Sequence, residues 1–255
     1  MSKDSEQKRE IEGQKQKQEK VQGMRWEPRV PLFRSDSPSC STCNSAAEHE
    51  KQKKVGMITR NSEDMLIKVY RKPMVLTELY KELGLSGYMG GKTKWELIKE
   101  GLVYEVELPT NRRGRRKKLL QITQRGTEYL RELGIKDIRK GRGGVKHLYY
   151  QKILKEWYQA NGYVVEVEAS VGDTCLDVLV IRKDGERLGI EIALSEQYEQ
   201  TNARKAMQAG LEGFMFVCET KELMERLHQR LSSMIESWPG KKPGFKLIND
   251  YMSDY

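Results

Sequence analysis

From residue 61 onward the apolar positions return at helical spacing, with Met65, Leu66, Val69 and Tyr70 on one face, Asn61 or Ser62 available as a cap and Pro73 to stop the run. Residues 74–76 read as a short strand. Thr77 is placed to cap a second helix through Glu82, Gly84 ends it, and residues 86–100 supply a third helix with Trp95, Leu97 and Ile98 inward. Two helices joined by a short glycine-containing turn match a helix-turn-helix. Beyond Gly101-Leu102-Val103 the pattern becomes that of strands, with residues 104–108 and 117–122 flanking the turn PTNRRGRR as a β-hairpin. Thr123-Gln124-Arg125-Gly126 and Leu130 then open another helix.

The rest of the chain alternates helix and strand. Residues 147–161 are amphipathic, with Leu148, Ile153, Leu154 and Trp157 apolar and Gly162 following as a cap. Extended runs follow at 163–168, 176–182 and 187–194, the last two joined by Lys183-Asp184-Gly185-Glu186, whose Asp-Gly pair favours a hairpin. A helix over 199–209, a strand over 213–218 and a helix over 221–237 complete an αβββαβα order. The fold class is thus mixed α+β or α/β. Its expected parts are a tail or linker (1–56), a helix-turn-helix and hairpin module (57–135), a basic linker (136–146), an α/β domain (147–238) and a C-terminal extension (239–255).

Residues 1–22 are nearly devoid of apolar side chains and are expected to be disordered or a solvated helix. Residues 23–34 (GMRWEPRVPLFR) differ, and Trp26, Val30, Leu32 and Phe33 suit them to dock on the body or on a protein partner. Cys40 and Cys43 have the spacing of half a zinc knuckle, with His49 as the only nearby third ligand; structural zinc takes about four ligands, so a serine-rich linker is the expectation rather than zinc. No apolar run approaches the ~20 residues needed to cross a bilayer, and residues 1–20 lack the apolar core of a signal peptide. A cytoplasmic protein without membrane contact is expected, with Cys175 and Cys218 as small hydrophobes.

Charge sharpens the picture. Of the net +9, two-thirds lies in residues 55–135, which hold 16 basic and 10 acidic side chains, and residues 136–146 add five basic against one acidic. Residues 111–118 (NRRGRRKK) contain six cations at a turn. Such focusing suits a polyanion, because phosphate contact requires clustered cations.

In the C-terminal part, Asp177 interrupts LDVLVI and Glu191 interrupts GIEIAL. A lone buried carboxylate costs several kcal/mol unless paired, protonated or metal-bound. An antiparallel hairpin would set the two side by side, and paired hard oxygen ligands are what Mg²⁺ needs to hold a phosphate and activate water. Ion pairs with cations such as Arg187 are the alternative. His147 and His228, without a ligand partner at metal spacing, read as surface or packing residues.

Two resemblances follow from these residues. The order LIKEGLV, basic hairpin, ITQRG over residues 60–134 resembles winged-helix DNA-binding domains. That implies a third helix in the major groove with Lys92, Thr93 and Lys94 near its start, Arg112, Arg113, Arg115, Arg116 and Lys117 at phosphates or the minor groove, and Gly87, Gly90 and Gly91 giving DNA close approach. Winged helices also serve as protein-contact modules. Residues 145–237 resemble the PD-(D/E)XK, or restriction-endonuclease-like, superfamily. This implies Asp177 and Glu191 as catalytic metal ligands, with Glu168 or Glu156 as a supplementary acid. The superfamily's lysine two residues after Glu191 is Ala193 here, and Lys205 is the substitute the sequence offers. The runs IEIALS, NARKAMQAG and GFMFVC also resemble nuclease-like tails of mobile-element and conjugation ATPases. Three functions stay open: a protein binding double-stranded or branched DNA whose nuclease-like domain adds a second contact or has lost its chemistry, a Mg²⁺-dependent endonuclease, and a transcriptional regulator or accessory subunit of a mobile-element DNA-processing complex.

Overall fold

The helical periodicity after residue 60 becomes α1 (Arg60–Arg71), which buries Ser62, Met65 and Leu66. It belongs to a computed structural model that describes residues 58–109, 116–135, 143–238 and 240–252. The expectations for residues 1–56, including the 23–34 segment and Cys40/Cys43, lie outside these. α2 (Leu76–Glu82) starts directly after Val75, which is extended (φ −71°, ψ 153°) and 3% exposed. No strand forms at 74–76, and Val75 rather than Thr77 is the N-cap.

α3 (Gly87–Lys99) is capped by Ser86, whose Oγ accepts the Met89 N–H at 3.3 Å. It buries Gly90, Thr93 and Leu97, and at 3.6 residues per turn Trp95 then falls on the opposite side, 61% exposed rather than inward. The rotation of α3 is set by Glu96, whose carboxylate accepts from Thr59 N–H (3.0 Å), Thr59 Oγ1 (2.8 Å) and Ser62 Oγ (2.6 Å). Burial opposes ionisation of Glu96, but these donors outweigh it and hold its pKa below the ordinary value.

Strands β1 (Val103–Glu107) and β2 (Lys118–Ile122) pair antiparallel from Val103 opposite Ile122 to Glu107 opposite Lys118. The tip of this hairpin, residues 110–115, lies outside the described residues. Thr123 closes the module by donating its hydroxyl to Gly101 C=O at 2.7 Å while capping α4 (Gln124–Glu132) at Gly126 N–H, 3.0 Å. Gly126 has no alternative there, since a Cβ would stand 2.2 Å from the Leu102 carbonyl oxygen.

α5 (Val145–Ala160) begins two residues before the sequence suggests, on Gly144. It covers one face of a five-stranded sheet of β3 (Val164–Val171), β4 (Thr174–Ile181), β5 (Arg187–Ala193), β6 (Gly213–Cys218) and β7 (Gly244–Leu247), in that spatial order. β3 to β5 are antiparallel neighbours, whereas β5–β6 and β6–β7 are parallel. The other face carries α6 (Glu199–Gln208), α7 (Lys221–Arg230) and α8 (Ser232–Glu236). The helix expected over 221–237 is therefore two, divided at Leu231. β7 was missed within the C-terminal extension; it is a four-residue edge strand whose Phe245 and Leu247 pack on the α7 side.

The described chain is mixed α+β, with eight α-helices and two sheets. Among the described residues no helix is long and apolar enough to cross a membrane. Val75, Leu108 and Leu119 from the first module share one buried cluster with Val145, Tyr149, Ile153 and Ile190, so the hairpin packs directly on α5. The Val145 N–H also donates to Gln121 Oε1 on β2 at 2.7 Å, so a β2 side chain anchors the start of α5.

Two glycines test these claims in opposite directions. Gly126→Ala is expected to lower stability by about 1–3 kcal/mol through overpacking against backbone. Gly91→Ala, where an added Cβ meets nothing within 4 Å, is expected to raise it by about 0.5–1 kcal/mol through helix propensity. Denaturant melts of both variants check this, and a neutral Gly126→Ala would contradict the packing.

Candidate functional site

The register of the large sheet places three acids in one row. Val178 pairs with Ile190, so the next positions, Asp177 on β4 and Glu191 on β5, face one another across the hairpin. On the other side of β4 the pairs Val167–Val178 and Ala169–Leu176 flank Glu168 and Asp177. Glu168 has φ of 53°, a left-handed conformation strained for a residue with a Cβ by about 1–3 kcal/mol. Strand alternation slips there: Val165 and Val178 join the cluster beneath α5, but Ala169 and Leu176, of the same parity, join the opposite one. The acid row thus sits where both strands change face.

Each acid is held from a different layer. Asp177 Oδ2 accepts the Ile192 backbone N–H at 2.8 Å and lies 3.0 Å from His147 Nε2, on the first turn of α5. Gln151, one turn further along α5, donates to the Asp177 backbone carbonyl at 3.4 Å. Glu191 is 6% exposed, and its Oε2 accepts from Asn202 Nδ2 of α6 at 3.3 Å. The same amide reaches Glu199 Oε2 at 3.4 Å. One amide therefore bridges two buried carboxylates, and a third lies beside them.

The electrostatics match that crowding. Burial, reinforced by the charges of Asp177 and Glu199, pushes Glu191 up to about 9. Burial likewise raises Glu199 to about 7, with Asp177 adding to it and the Asn202 hydrogen bond and His147 opposing. Burial of the His147 ring disfavours its charge, but the hydrogen bond and charge of Asp177, with Glu168 and Glu199, outweigh it and hold its pKa above the ordinary value. Among the described residues His147 Nδ1 is buried without a hydrogen-bond partner.

The alternative of ion pairing with Arg187 is excluded, since Arg187 lies 3.5 Å from Glu212 and donates its N–H there as well. Glu156 stands 3.9 Å from Lys152 on the same helix rather than at the acid row. Lys205 is exposed on α6 and, among the described residues, pairs with neither acid. Ala193, in the position of the expected lysine, is fully buried against the α6–α7 side. The cation at that end of the sheet is Lys146, whose Nζ is 2.8 Å from Glu219 Oε1; Tyr150 OH donates to the same oxygen, and the Glu219 N–H bonds the Ala193 carbonyl. Among the described residues no three His, Cys, Asp or Glu side chains form a metal cage. The donor set is an open pair of carboxylates, which suits an ion that keeps several waters.

The basic face is also rearranged. Lys92 is exposed, but Thr93 is 3% exposed and turned into the module, where its backbone carbonyl accepts from Ser62. Lys94 is bound to Glu105, which Lys118 also holds at 2.6 Å. Arg116 pairs with Glu107 at 2.9 Å, and Lys117 uses its backbone carbonyl to complete the hairpin. Arg112, Arg113 and Arg115 lie outside the described residues. Gly90 does not open α3 to a ligand, because a Cβ would meet the Tyr80 ring at 2.5 Å; Gly87 and Gly91 do face open space.

Asn202 lies beside the acids, on the helix where the resemblance places it with Arg204 and Lys205; His147, Lys146 and Glu199 do not stand out in the sequence because each is an ordinary polar residue on a helix. Only the position of Gly144 before His147 signals that the histidine lies in a first turn.

A group whose folded pKa exceeds its unfolded one loses its stabilising contribution as pH rises between the two values. For Glu191 that window runs from the usual carboxylate range to about 9, and Glu199 and His147 act in the same direction. The melting temperature should therefore fall from pH 5 to pH 9, and less steeply in Glu191→Gln. Equal slopes in calorimetric melts would contradict the buried cluster.

Comparison of the chain with protein-family models and with curated proteins gives no match.

Proposed function

We propose that this chain binds DNA through a winged helix formed by residues 58–135 and that the Asp177–Glu191 row is a Mg²⁺-dependent phosphodiesterase site on a nuclease-like sheet. The observation that carries the reading is the pairing on adjacent strands of a buried carboxylate, Glu191, with the partly buried Asp177, a third acid lying beside them and, among the described residues, no lysine or arginine bound to either. Burying two ionised carboxylates together is costly; raising the pKa of Glu191 avoids that cost in the free chain, and a divalent cation would offset it with both acids ionised. The bound ion would polarise a phosphoryl oxygen and lower the pKa of a water.

The chain's own residues supply the rest. Asp177 is oriented by His147 Nε2 and by the Ile192 N–H, so its carboxylate is fixed before any ligand arrives. Burial and the charges of Asp177 and Glu199 favour the protonated form of Glu191, and a carboxyl must give up its proton to serve as a ligand. Asn202 keeps Glu191 and Glu199 in place throughout. Lys146, tethered by Glu219 beside Ala193, is better placed than Lys205 to provide positive charge at this end of the sheet.

For the winged helix the support is the order of three helices, antiparallel hairpin and a further helix, with six cations in residues 111–118, the segment that joins the two hairpin strands and reaches the start of β2. A second reading, DNA binding without cutting, is favoured by one observation, the fully buried Ala193 in place of the lysine.

Incubating the full chain with plasmid and branched DNA in Mg²⁺ or Mn²⁺ tests the first reading. Cutting that disappears in Asp177→Ala is expected; binding without cutting under either metal selects the second. For the winged helix, changing Arg112, Arg113, Arg115 and Arg116 to Ala should flatten the salt dependence of affinity by about 0.9 per lost phosphate contact on duplex DNA. An unchanged slope removes the hairpin from the interface.

A further inference from the structure

The outer face of α3 carries chemistry that reading a duplex does not use. Tyr88, Lys92, Trp95 and Lys99 follow at intervals of four, three and four residues, which places them along one side of the helix. Tyr88 is 81% exposed and Trp95 61%, and the Lys99 ammonium lies 5.4 Å from the Trp95 ring centroid. Gly91 falls between the two aromatic rings along this side, and a Cβ there would meet nothing within 4 Å. The acids near the face are engaged elsewhere: Glu96 is turned in to Thr59 and Ser62, Glu100 lies 3.7 Å from Arg125, and Glu105 is held by Lys94 and Lys118.

We infer that this stripe stacks unpaired bases of a DNA strand, with Tyr88 and Trp95 as platforms and Lys92 and Lys99 at the adjoining phosphates. Base-edge readout in the major groove relies on side chains such as Arg, Lys, Asn or Gln that hydrogen-bond to base edges; of the four positions only Lys92 and Lys99 could take part, while Tyr88 and Trp95 present ring faces that edge readout does not use. Aromatic rings interleaved with cations instead meet the faces of bases, which paired DNA hides, and do so without regard to sequence. The gap at Gly91 leaves room for a strand to come close to the helix backbone. The substrate class is then DNA that exposes bases, such as a bubble or the junction of a duplex with a single-stranded arm. This rests on the DNA-binding reading above and narrows it.

The test measures fluorescence anisotropy of the full chain on two labelled DNAs of one sequence, a perfect duplex and the same duplex with a short central bubble. Wild type should prefer the bubble. Tyr88→Ala and Trp95→Ala should each weaken bubble binding by about tenfold and duplex binding by less than about twofold, while Trp95→Phe keeps most of the affinity. Both side chains point into solvent, so thermal melts should match wild type. Equal losses on the two DNAs would overturn the stacking role and return the face to groove contact. No loss on either would overturn it too and leave the stripe to a protein partner. Wild type that binds neither DNA would defeat the DNA-binding reading itself, and the inference with it.

Discussion

Two carboxylates occupy facing positions in the middle of a sheet, and the surrounding structure is organised around tolerating them. Among the described residues neither Asp177 nor Glu191 has a lysine or arginine partner, yet Glu191 is almost fully enclosed. What they have is a set of weaker groups drawn from three layers: an imidazole from α5, an amide from α6 and a backbone N–H from β5. Each lowers the cost of one carboxylate without removing the like-charge repulsion between them. The strained backbone at Glu168, in the same row, is a further cost accepted at this place and not elsewhere among the described residues.

The same row depends on the first module. α5 presents His147 and Gln151 to Asp177 from its opening turns, and the start of α5 is fastened to β2 through Gln121. Leu108 and Leu119 of the hairpin pack in the cluster that lies under α5. Displacement of the hairpin would therefore move the histidine that orients Asp177.

Much of this was legible in the residues. Acids inside apolar strands marked Asp177 and Glu191, and the Asp-Gly turn implied the antiparallel hairpin that faces them; Gly84 and Gly162 marked helix ends, whereas Thr77 did not cap the second helix, whose N-cap is Val75. Other features depend on tertiary packing. Trp95 was assigned inward by residue type, but burial of Thr93 and Leu97 turns it to solvent; Lys94 was assigned to DNA by charge, but it lies across from Glu105 of a strand that α3 packs against. β7 is short, contains a lysine and follows Pro243, so nothing in its composition separates it from a loop until β6 offers an edge.

The most direct test of the account is the coupling of metal binding to proton release. Titrating the full chain with Mn²⁺ by calorimetry at pH 7, in two buffers of different ionisation enthalpy, should show about one proton released per ion bound, because Glu191 must ionise to become a ligand. Glu191→Gln should bind more weakly and release fewer protons. Binding without proton release, or equal binding by that variant, would contradict the assignment of the acid row as a metal site.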